Sequence, residues 1–371
     1  MNENIIKNYE YYKDISLKKY NTYRLDVKCG YLIYPGNTKE LIDLLKYLKE
    51  NNISYFILGG GSNIILAKPY FDVVIKLDKL NNIEIKDNIV TAGAGVSLIY
   101  LANICMDNNL NGLAFAGGIP GMVGASTAMN AGAYKEDMAS IVKEVKVVTP
   151  NLEVVTLTNK ELNYSYRNSF LKEHKDYICT EVTLEMNYLD KDKIKETMTS
   201  RKQRRIDTQP LDKPSAGSVF RNPDAAPSGK LIEDAGLKGY TIGGAKVSEK
   251  HANFIINYNN ATSEDIKKLI DFVRSKVKET YNIELKSEQE LINWEWFVVA
   301  KKKKRKKKIK VFRVFLVLVV IALLVLLVML LGKIKVRGFY ISGNTYYDDQ
   351  KILNITGLDK YPSFLLTNSY K

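Results

Sequence analysis

Residues 114–134 read AFAGGIPGMVGASTAMNAGAY and contain five glycines and one proline. Glycine is conformationally permissive and proline lacks a backbone donor, so we expect this segment to contain no regular helix or strand. Few of its side chains are polar, and it therefore offers mainly backbone groups to a partner. A flat, partly apolar ligand that also carries a pyrophosphate, such as a flavin dinucleotide, would suit this surface. A set of purely structural turns is the competing interpretation.

A second glycine-rich segment lies upstream, at residues 56–66, and reads FILGGGSNIIL. It fails the dinucleotide fingerprint GxGxxG, because Ile64 stands where the third glycine is needed and an apolar strand is expected to follow instead of a helix. The pattern predicts a strand, a three-glycine loop at 59–61, and the polar pair Ser62 and Asn63. Glycine lets backbone N–H groups approach an anion, and these two side chains can add hydrogen bonds to phosphate. A plain tight turn is the alternative.

Around these segments the sequence alternates between strand and helix patterns. Residues 53–58 predict a strand, residues 97–109 a helix, and residues 142–157 a hairpin. The Asn-x-x-Glu pattern that begins at Asn37 predicts a capped helix start. Residues 263–282 predict an amphipathic helix, because five apolar residues fall on one stripe: Ile266, Leu269, Ile270, Val273 and Val277. The body is therefore expected to be an α+β, enzyme-like domain.

Three further segments contain residue types that support acid–base chemistry. The sequence YRNS at 166–169 places the Arg167 guanidinium just after an expected strand end. Residues 215–223, SAGSVFRNP, place two serines, an arginine and an asparagine in one loop. Glu288 lies in IELKSEQELI, 283–292, an expected strand with the carboxylate on one face. These groups could act as a cation, a hydroxyl proton donor and a general acid, but each alone is more often a solvated residue.

The cysteines and histidines exclude several classes of site. Cys29, Cys105 and Cys179 form no CxxC pair, and the only histidines are His174 and His251. We therefore expect neither a zinc ribbon, a disulfide framework nor a His-rich metal site. The hydrolase signatures GxSxG and HExxH are also absent from the sequence. Three unpaired thiols indicate a reducing, cytoplasmic location for the body.

The net charge of +14 is concentrated at one end of the chain. From Lys301 onward there are 16 Lys and Arg against 3 Asp and Glu, which leaves 39 basic and 38 acidic residues of the totals of 55 and 41 for residues 1–300. A body this close to neutral has no basic stripe for nucleic acid, so no nucleic-acid partner is expected.

The C-terminal part of the sequence predicts a membrane anchor. Residues 314–331, VFLVLVVIALLVLLVMLL, are uncharged and would reach about 27 Å as a helix. The preceding cluster KKKKRKKK at 301–308 is typical of a positive-inside stop and of contact with anionic lipid. Together they predict a single pass, with residues 1–300 in the cytoplasm and the tail outside. A buried core helix is the competing interpretation.

Taken together, the segments of the body resemble the UDP-N-acetylenolpyruvoylglucosamine reductase (MurB) family of peptidoglycan precursor synthesis, over roughly residues 15–293. Six segments occur in the family's order: GGGSNIIL, LAFAGGIPGMVGASTAMNAGAY, YSYRNSF, QPLDKPSAGSVFRNP, LIEDAGLKGYTIGGAKVSEKHANFIIN and LKSEQELI. One of these segments alone would be weak evidence of a resemblance, whereas six segments in order identify the chain as similar to that family.

The resemblance implies an α+β architecture: a two-subdomain FAD-binding fold of the PCMH/VAO-like kind plus an α+β substrate-binding domain. We expect FAD-binding subdomain 1 at 1–75, subdomain 2 at 76–190 and the substrate-binding domain at 191–296, as in the shorter form of the family. A basic linker at 297–313, the transmembrane helix at 314–331 and a partial POTRA domain at 332–371 would follow.

The resemblance also implies non-covalent FAD as cofactor and NADPH as hydride donor. It implies FAD contacts at thirteen positions: Gly59, Gly60, Gly61, Ser62, Asn63, Gly117, Gly118, Ile119, Gly121, Gly124, Ala125, Asn130 and Gly132. Near the first strand the family usually has Gly-Gly, whereas Asp26 and Val27 stand in this sequence. The FAD contacts close to that pair are therefore expected to differ.

By the same resemblance, the reaction reduces the enolpyruvyl group of UDP-N-acetylglucosamine enolpyruvate. A hydride passes from NADPH through flavin N5 to the β-carbon, and the α-carbon receives a proton, for which Ser218 matches the family's donor. A serine hydroxyl can serve if the site stabilises its alkoxide or relays a proton. Arg167 and Glu288 match the pair that binds the substrate carboxylate and stabilises the enol intermediate.

The substrate contacts implied by the resemblance are Tyr166 and Asn222, with Arg221 as a partner for phosphate. The C-terminal part is similar to a division protein of the DivIB/FtsQ type: a Lys-rich leader, one span, and IKVRGFYISGNTYYDDQKILNITGL. A POTRA domain needs about 70 residues and about 40 follow the span, so the module is expected to be incomplete. Proteins of a division complex would be its partners.

Two other functions compete with the membrane-tethered reductase. One is a catalytically weak division scaffold with a reductase-like body, which the presence of Arg167, Ser218 and Glu288 disfavours. The other is a related flavoprotein oxidase. Such enzymes commonly attach flavin through His or Cys, and the glycine cluster at 114–134 contains neither.

Overall fold

The computed structural model describes residues 3–292, 321–327, 329–331, 333, 340–343 and 345–357. The chain divides into two units, Met1–Trp294 and Glu295–Lys371. A four-stranded sheet in the first unit has the order β1-β2-β5-β3, in which β1 and β2 are antiparallel and β5 is parallel to both β2 and β3. Its strands are β1 (Glu10–Ser16), β2 (Lys28–Tyr34), β3 (Tyr55–Ile57) and β5 (Tyr70–Ile75).

A five-stranded antiparallel sheet follows, in the order β12-β11-β13-β7-β6. Its strands are β6 (Ile83–Lys86), β7 (Ile89–Gly93), β11 (Val142–Val148), β12 (Val154–Thr158) and β13 (Ile178–Glu185). The hairpin predicted at 142–157 is confirmed as β11 and β12. Three two-stranded pairs accompany the sheets: β4 (Ile64–Leu66) with β18 (Glu290–Ile292), β8 (Leu110–Asn111) with β14 (Asn187–Tyr188), and β9 (Gly132–Ala133) with β10 (Glu136–Asp137).

The C-terminal part of this unit contains a three-stranded sheet, β15 (Thr241–Ile242), β16 (Ala245–Val247) and β17 (Ile255–Asn257), covered by helix α8. Helix α8 runs over Ser263–Tyr281 and begins at a capping box formed by Thr262 and Asp265. The five residues of its predicted apolar stripe are all buried, which confirms the prediction. The stripe packs into a core that this part shares with the first sheet.

The other helices of the first unit are α1 (Glu3–Ile6), α2 (Thr38–Glu50), α3 (Leu98–Asp107), α4 (Val123–Met129), α5 (Phe170–Glu173), α6 (Lys191–Thr208) and α7 (Ser228–Asp234). The predicted cap of α2 is confirmed, because the Asn37 side chain accepts a hydrogen bond from the backbone of Glu40. Helix α3 confirms the helix predicted at 97–109, with Ser97 as its N-cap. Short 3-10 turns occupy Leu17–Tyr20, Ala114–Ala116 and Met138–Ser140.

Helix α4 contradicts the expectation that the glycine-rich segment 114–134 contains no regular element. Only one glycine, Gly124, lies inside the helix, and the extended Gly121 (φ +157°) precedes it. A side chain at Gly124 would collide with Ala94, so this glycine permits close packing against the neighbouring backbone. The glycines of this segment therefore position a helix instead of preventing one.

Two local predictions around the polar segments are also wrong. Arg167 does not follow a strand end but lies in a tight turn, where Ser165 and Asn168 exchange both backbone hydrogen bonds and Arg167 has φ +55°. Glu288 precedes β18 and is not part of a long strand over 283–292. In both places side-chain and loop contacts hold the backbone, and periodicity does not report such contacts.

In the second unit, residues 321–327 and 329–331 are helical, and a short helix spans Asp349–Thr356. Of the residues that the structure describes, none belongs to a helix long and apolar enough to cross a membrane. The predicted span at 314–331 lies partly outside the described residues. Most of the predicted POTRA region at 332–371 and the whole basic cluster at 301–308 also lie outside them.

Candidate active site

The two glycine-rich segments meet and form one surface. A Cβ on Gly60 would lie 3.0 Å from the Cα of Gly121, so only glycine lets the two backbones approach this closely. The Ser62 hydroxyl donates a hydrogen bond to the Pro120 carbonyl, 2.7 Å away. The structure thus brings together the residues predicted at 59–63 with those predicted around 121. We refer to this surface, residues 59–63 and 117–121, as the joined glycine loops.

The first loop has a backbone conformation that glycine favours. Gly61 has φ +65°, and a side chain there would overlap the Tyr20 carbonyl oxygen. The Gly61 carbonyl accepts hydrogen bonds from the backbone N–H and the hydroxyl of Thr22, at 3.1 and 3.2 Å. Asp26, where the family usually has glycine, is exposed and accepts a hydrogen bond from the Ser16 hydroxyl.

A buried lysine that no sequence motif indicates adjoins the first loop. Lys76 is 4% exposed, and its ammonium donates a hydrogen bond to the Gly59 carbonyl at 3.0 Å. Asp78 lies 3.2 Å from the same ammonium. A cation at this position favours a bound anion and also fixes the orientation of the loop carbonyl.

The second loop packs against helix α6. A Cβ on Gly117 would collide with Met198, and one on Gly118 would lie 3.0 Å from the Cδ of Arg205. Ala125 lies close to the first loop, because a Cβ built on Gly59 would be 3.0 Å from the Cβ of Ala125. Ile119 is half-buried and packs against the hydrophobic core that contains the five-stranded sheet.

Arg167 and Glu288 form an ion pair although 121 residues separate them. The Arg167 Nε lies 3.0 Å from a Glu288 carboxylate oxygen, and the side chains are 19% and 13% exposed. The guanidinium also donates to the carbonyls of Asn130 (3.4 Å) and Gly132 (2.6 Å). These backbone groups orient the cation toward the carboxylate. The structure thus joins the two residues that the resemblance pairs.

Burial raises the pKa of Glu288, and the nearby cations Arg167, Lys172 and Arg221 partly oppose that rise. Removing an ionised carboxylate from water is costly, so the neutral acid is favoured relative to an exposed glutamate. Burial is also the main cause of the lowered pKa of Lys172. Such opposed shifts at one site are typical of acid–base centres.

The serine loop lies directly beside Glu288. The Glu288 backbone N–H donates to the Val219 carbonyl at 2.8 Å, and Ser218 forms a β-bridge with Phe254. The Ser218 hydroxyl forms no hydrogen bond with any residue that the structure describes, so it is free to face a substrate. Asn63 joins this loop to the glycine surface, because its amide donates to the Glu288 carbonyl at 3.2 Å.

The residues predicted to contact substrate differ in their surroundings. The Arg221 Nε is buried and has no hydrogen-bond partner among the described residues, which leaves it available to an anion. Asn222 is exposed, but its side-chain oxygen accepts a hydrogen bond from Ser228 at the start of α7. Tyr166 is 54% exposed, and its ring lies under the Arg167 guanidinium.

Two of the thirteen predicted FAD contacts, Asn130 and Gly132, form hydrogen bonds that hold Arg167 and its turn. The Asn130 side chain donates to Asp137 and to the Ser165 carbonyl, and it accepts from the Ala139 backbone. The Asn130 side chain therefore holds the turn that contains Arg167. Gly132 likewise offers its carbonyl to Arg167.

The joined glycine loops fit the pyrophosphate of FAD. Their backbones meet in a cradle that a Cβ at Gly60 would fill, and Ser62, Lys76 and Arg205 surround it with donors and positive charge. Backbone donors without side chains, flanked by cations, are the groups that bind phosphate closely. The cysteines Cys29, Cys105 and Cys179 are free and buried, which confirms that they form no disulfide.

Comparison with known proteins identifies relatives of this chain. A family model described as UDP-N-acetylenolpyruvoylglucosamine reductase, C-terminal domain, matches residues 209–292, and one described as FAD binding domain matches residues 30–158. A UDP-N-acetylenolpyruvoylglucosamine reductase of Caldanaerobacter subterraneus is 42% identical over 289 residues, which cover 78% of this chain and 95% of the relative. A UDP-N-acetylenolpyruvoylglucosamine reductase of Clostridium perfringens is 40% identical over 280 residues, which cover 75% of this chain and 92% of the relative.

A solved structure resembles the fold. The crystal structure of UDP-N-acetylenolpyruvylglucosamine reductase from Thermus caldophilus superimposes with a TM-score of 0.64 at 29% identity, and the match covers 76% of this chain and 98% of that one. The sequence-based assignment of the body is thereby confirmed. This chain belongs to the UDP-N-acetylenolpyruvoylglucosamine reductase family.

Proposed function

We propose that the chain is an FAD- and NADPH-dependent reductase that converts UDP-N-acetylglucosamine enolpyruvate to UDP-N-acetylmuramate in peptidoglycan precursor synthesis. The observation that carries this proposal is the Arg167–Glu288 ion pair, which lies beside the Ser218 loop and is linked through Asn63 to the joined glycine loops. A cation, a carboxyl group of raised pKa and a free hydroxyl thus stand next to a surface that fits FAD.

The protein residues have separate tasks in this proposal. FAD, when bound, supplies a carrier that accepts a hydride from NADPH and delivers it to the β-carbon of the enolpyruvyl group. Arg167 binds the substrate carboxylate and stabilises negative charge that develops on it. The raised pKa of Glu288 favours its protonation beside that carboxylate, and in the protonated form Glu288 avoids repulsion and can donate a hydrogen bond. Ser218 holds the proton for the α-carbon and recovers one by relay, so hydride and proton together saturate the double bond.

The experiment that tests this proposal separates the two half-reactions of a Ser218→Ala variant. We expect flavin reduction by NADPH to be nearly unchanged, because the serine proton is not used there. Reoxidation by UDP-N-acetylglucosamine enolpyruvate should slow by about 10²–10⁴-fold, the range for loss of a general acid. Rapid mixing, monitored by flavin absorbance under anaerobic conditions, measures both rates. Ser215→Ala, in the same loop, is the matched control, and equal loss in both half-reactions of S218A would refute the proton-donor role.

The domain boundaries form part of the proposal: FAD-binding subdomains at 1–75 and 76–190, and the substrate-binding domain at 191–296. The first and second sheets fall within the two subdomains, and the small sheet with α8 falls within the third. The competing function, a division scaffold with a catalytically weak reductase-like body, predicts a colourless protein that cannot be reconstituted with FAD.

We also propose a membrane tether, on sequence grounds. The apolar run at 314–331 follows the basic cluster at 301–308, and this order places the body in the cytoplasm and the tail outside. Support comes from the helical residues 321–327, whose apolar side chains include Ile321 (51% exposed) and Leu323 (59% exposed). Contiguous exposed apolar surface is a feature of membrane and protein contacts. A partial POTRA domain at 332–371 would then face partners of the division complex.

A further inference from the structure

Two of the three arginines of helix α6, Arg201 and Arg205, lie one turn apart in different surroundings. Arg201 forms a bidentate pair with the Glu136 carboxylate, at 2.5 and 3.1 Å, and its guanidinium lies 4.8 Å from the centre of the Tyr134 ring. Arg205 has neither an ion pair nor a side-chain hydrogen bond with any residue that the structure describes. The first arginine is therefore satisfied by the protein, and the second is not.

Arg205 lies on the joined glycine loops. A Cβ built on Gly118 would be 3.0 Å from the Arg205 Cδ and 3.2 Å from its Nε, so the side chain runs along the loop backbone. Burial lowers the pKa of this guanidinium, with the Tyr134 hydroxyl as a weaker opposing influence. A partly desolvated cation without a counter-charge is unfavourable, and the usual remedy is an anionic partner.

The other cation at this surface has such a partner. Lys76, beside Gly59, has the Asp78 carboxylate 3.2 Å away. Arg205 therefore supplies positive charge that no described acidic residue neutralises, at the same surface where the backbones of Gly60 and Gly121 meet. A planar guanidinium binds a phosphate in bidentate fashion, which a lysine ammonium cannot do.

We infer that Arg205 binds the diphosphate of a nucleotide against the Gly117–Gly118 backbone. This inference rests on the proposed function, because FAD, NADPH and the UDP-linked substrate all carry a diphosphate. The shared chemistry of the three is a dianion of adjacent phosphates, and the test has one arm for each source. Arg205 would then be a binding residue that helix α6 contributes to a site otherwise built from loops.

The test compares Arg205→Gln with Arg204→Gln, an exposed neighbour on the same helix. Each full-length protein is stripped of flavin and titrated with FAD by fluorescence, and the KM values for NADPH and for UDP-N-acetylglucosamine enolpyruvate are measured. We expect R205Q to weaken one of these by about 10–100-fold, the loss of a charge-assisted hydrogen bond, with R204Q unchanged. Arg205→Lys, which keeps the charge, should fall between the two and guards against a folding defect.

Whichever of the three constants changes in R205Q identifies the ligand that supplies the diphosphate. A raised dissociation constant for FAD assigns the FAD pyrophosphate, whereas a raised KM for NADPH or for the UDP-linked compound assigns that ligand. All three constants equal to those of R204Q would overturn the inference. A wild-type protein that bound no FAD would instead contradict the proposed function, and titration of the same variants with UDP would still test Arg205.

Discussion

Lys172 has no role predicted from the sequence, yet it contacts the Arg167 backbone and acts electrostatically on Glu288. Its side chain is 12% exposed, and its ammonium donates a hydrogen bond to the Arg167 carbonyl at 3.0 Å. A Glu290 carboxylate oxygen lies 3.9 Å from the same ammonium. The hydrogen bond supports Arg167 in its left-handed conformation, φ +55°, which is unfavourable for a non-glycine residue. Lys172 is therefore a positioning residue for Arg167 and a source of positive potential at Glu288.

We predict that Lys172→Met shifts the pH dependence of flavin reoxidation to higher pH. Arg167, Lys172 and Arg221 all favour the ionised form of Glu288, so loss of the lysine charge raises the pKa of that carboxyl further. In the proposed mechanism Glu288 acts in its protonated form, so reoxidation is expected to fall as pH rises through this pKa. The rate measured by rapid mixing between pH 5 and 10 gives the midpoint for each protein.

Lys175→Met is the control for this prediction. Lys175 also pairs with Glu290, at 2.6 Å, but its side chain is 66% exposed and it does not contact the Arg167 carbonyl. Its profile should coincide with that of the wild type. Superimposable profiles for K172M and the wild type would show that Lys172 does not act on Glu288.

The segment from Ser287 to Ile292 joins the separate parts of the site. Ser287 forms a β-bridge with Phe220, and β18 pairs with β4 directly after the first glycine loop. Between them, the buried Gln289 side chain donates to the carbonyls of Ala216 and Gly217, each at 3.0 Å. These two carbonyls directly precede Ser218, so the position of the hydroxyl depends on Gln289.

We predict that Gln289→Leu destabilises the protein and slows reoxidation, whereas Tyr23→Phe affects mainly stability. The leucine leaves the buried Ala216 carbonyl, the partly buried Gly217 carbonyl and the Tyr23 hydroxyl without these partners, a cost of about 2–4 kcal/mol in the free energy of unfolding. Y23F removes only the 2.9 Å hydrogen bond to Gln289, at about 1 kcal/mol, and keeps the Ser218 loop in place. Urea denaturation gives the stabilities, and rapid mixing gives the rates. Wild-type reoxidation by folded Q289L would rule out this positioning role.

Local patterns predicted elements well and long-range contacts poorly. The stripe of α8 and the cap at Asn37 are encoded within one or a few turns, and both were predictable from residue spacing. Helix α4 does not follow from glycine content, because its glycine, Gly124, allows close packing against Ala94 and does not break the helix. Partners such as Tyr23 and Gln289 are 266 positions apart. No periodicity reports such a pair, so these buried polar contacts emerge only from the folded chain.

At the scale of the whole molecule, the first sheet is shared between two cores. Ile33 and Val73 belong to one core, with the five-stranded sheet, whereas Leu32 and Val74 belong to the other, with α8 and its sheet. The C-terminal part of the first unit therefore covers apolar surface of the first sheet and is not joined to it by a linker alone. We infer that residues up to Trp294 fold as one cooperative unit, consistent with their clustering as one unit.

We predict that a chain ending at Trp296 keeps FAD binding and both half-reactions at wild-type rates but leaves the membrane fraction. The body carries 39 basic and 38 acidic residues within positions 1–300, so without the tail it has little electrostatic attraction to anionic lipid. Sedimentation of cell lysates locates each protein, and flavin titration and rapid mixing test its activity. A truncated protein that bound FAD but was inactive would reveal a catalytic role of the tail.

A third protein separates the two features of the proposed tether: the full chain with residues 301–308 all changed to glutamine. The apolar run at 314–331 is unchanged, so this variant should stay in the membrane fraction after a wash in high salt, because burial of apolar side chains is not screened by ions. Its orientation should become mixed, since the basic cluster is what biases it. Protease accessibility of the tail in intact cells measures that orientation. Release of the wild-type protein by salt alone would mean that the lysines, and not an inserted helix, hold it at the membrane.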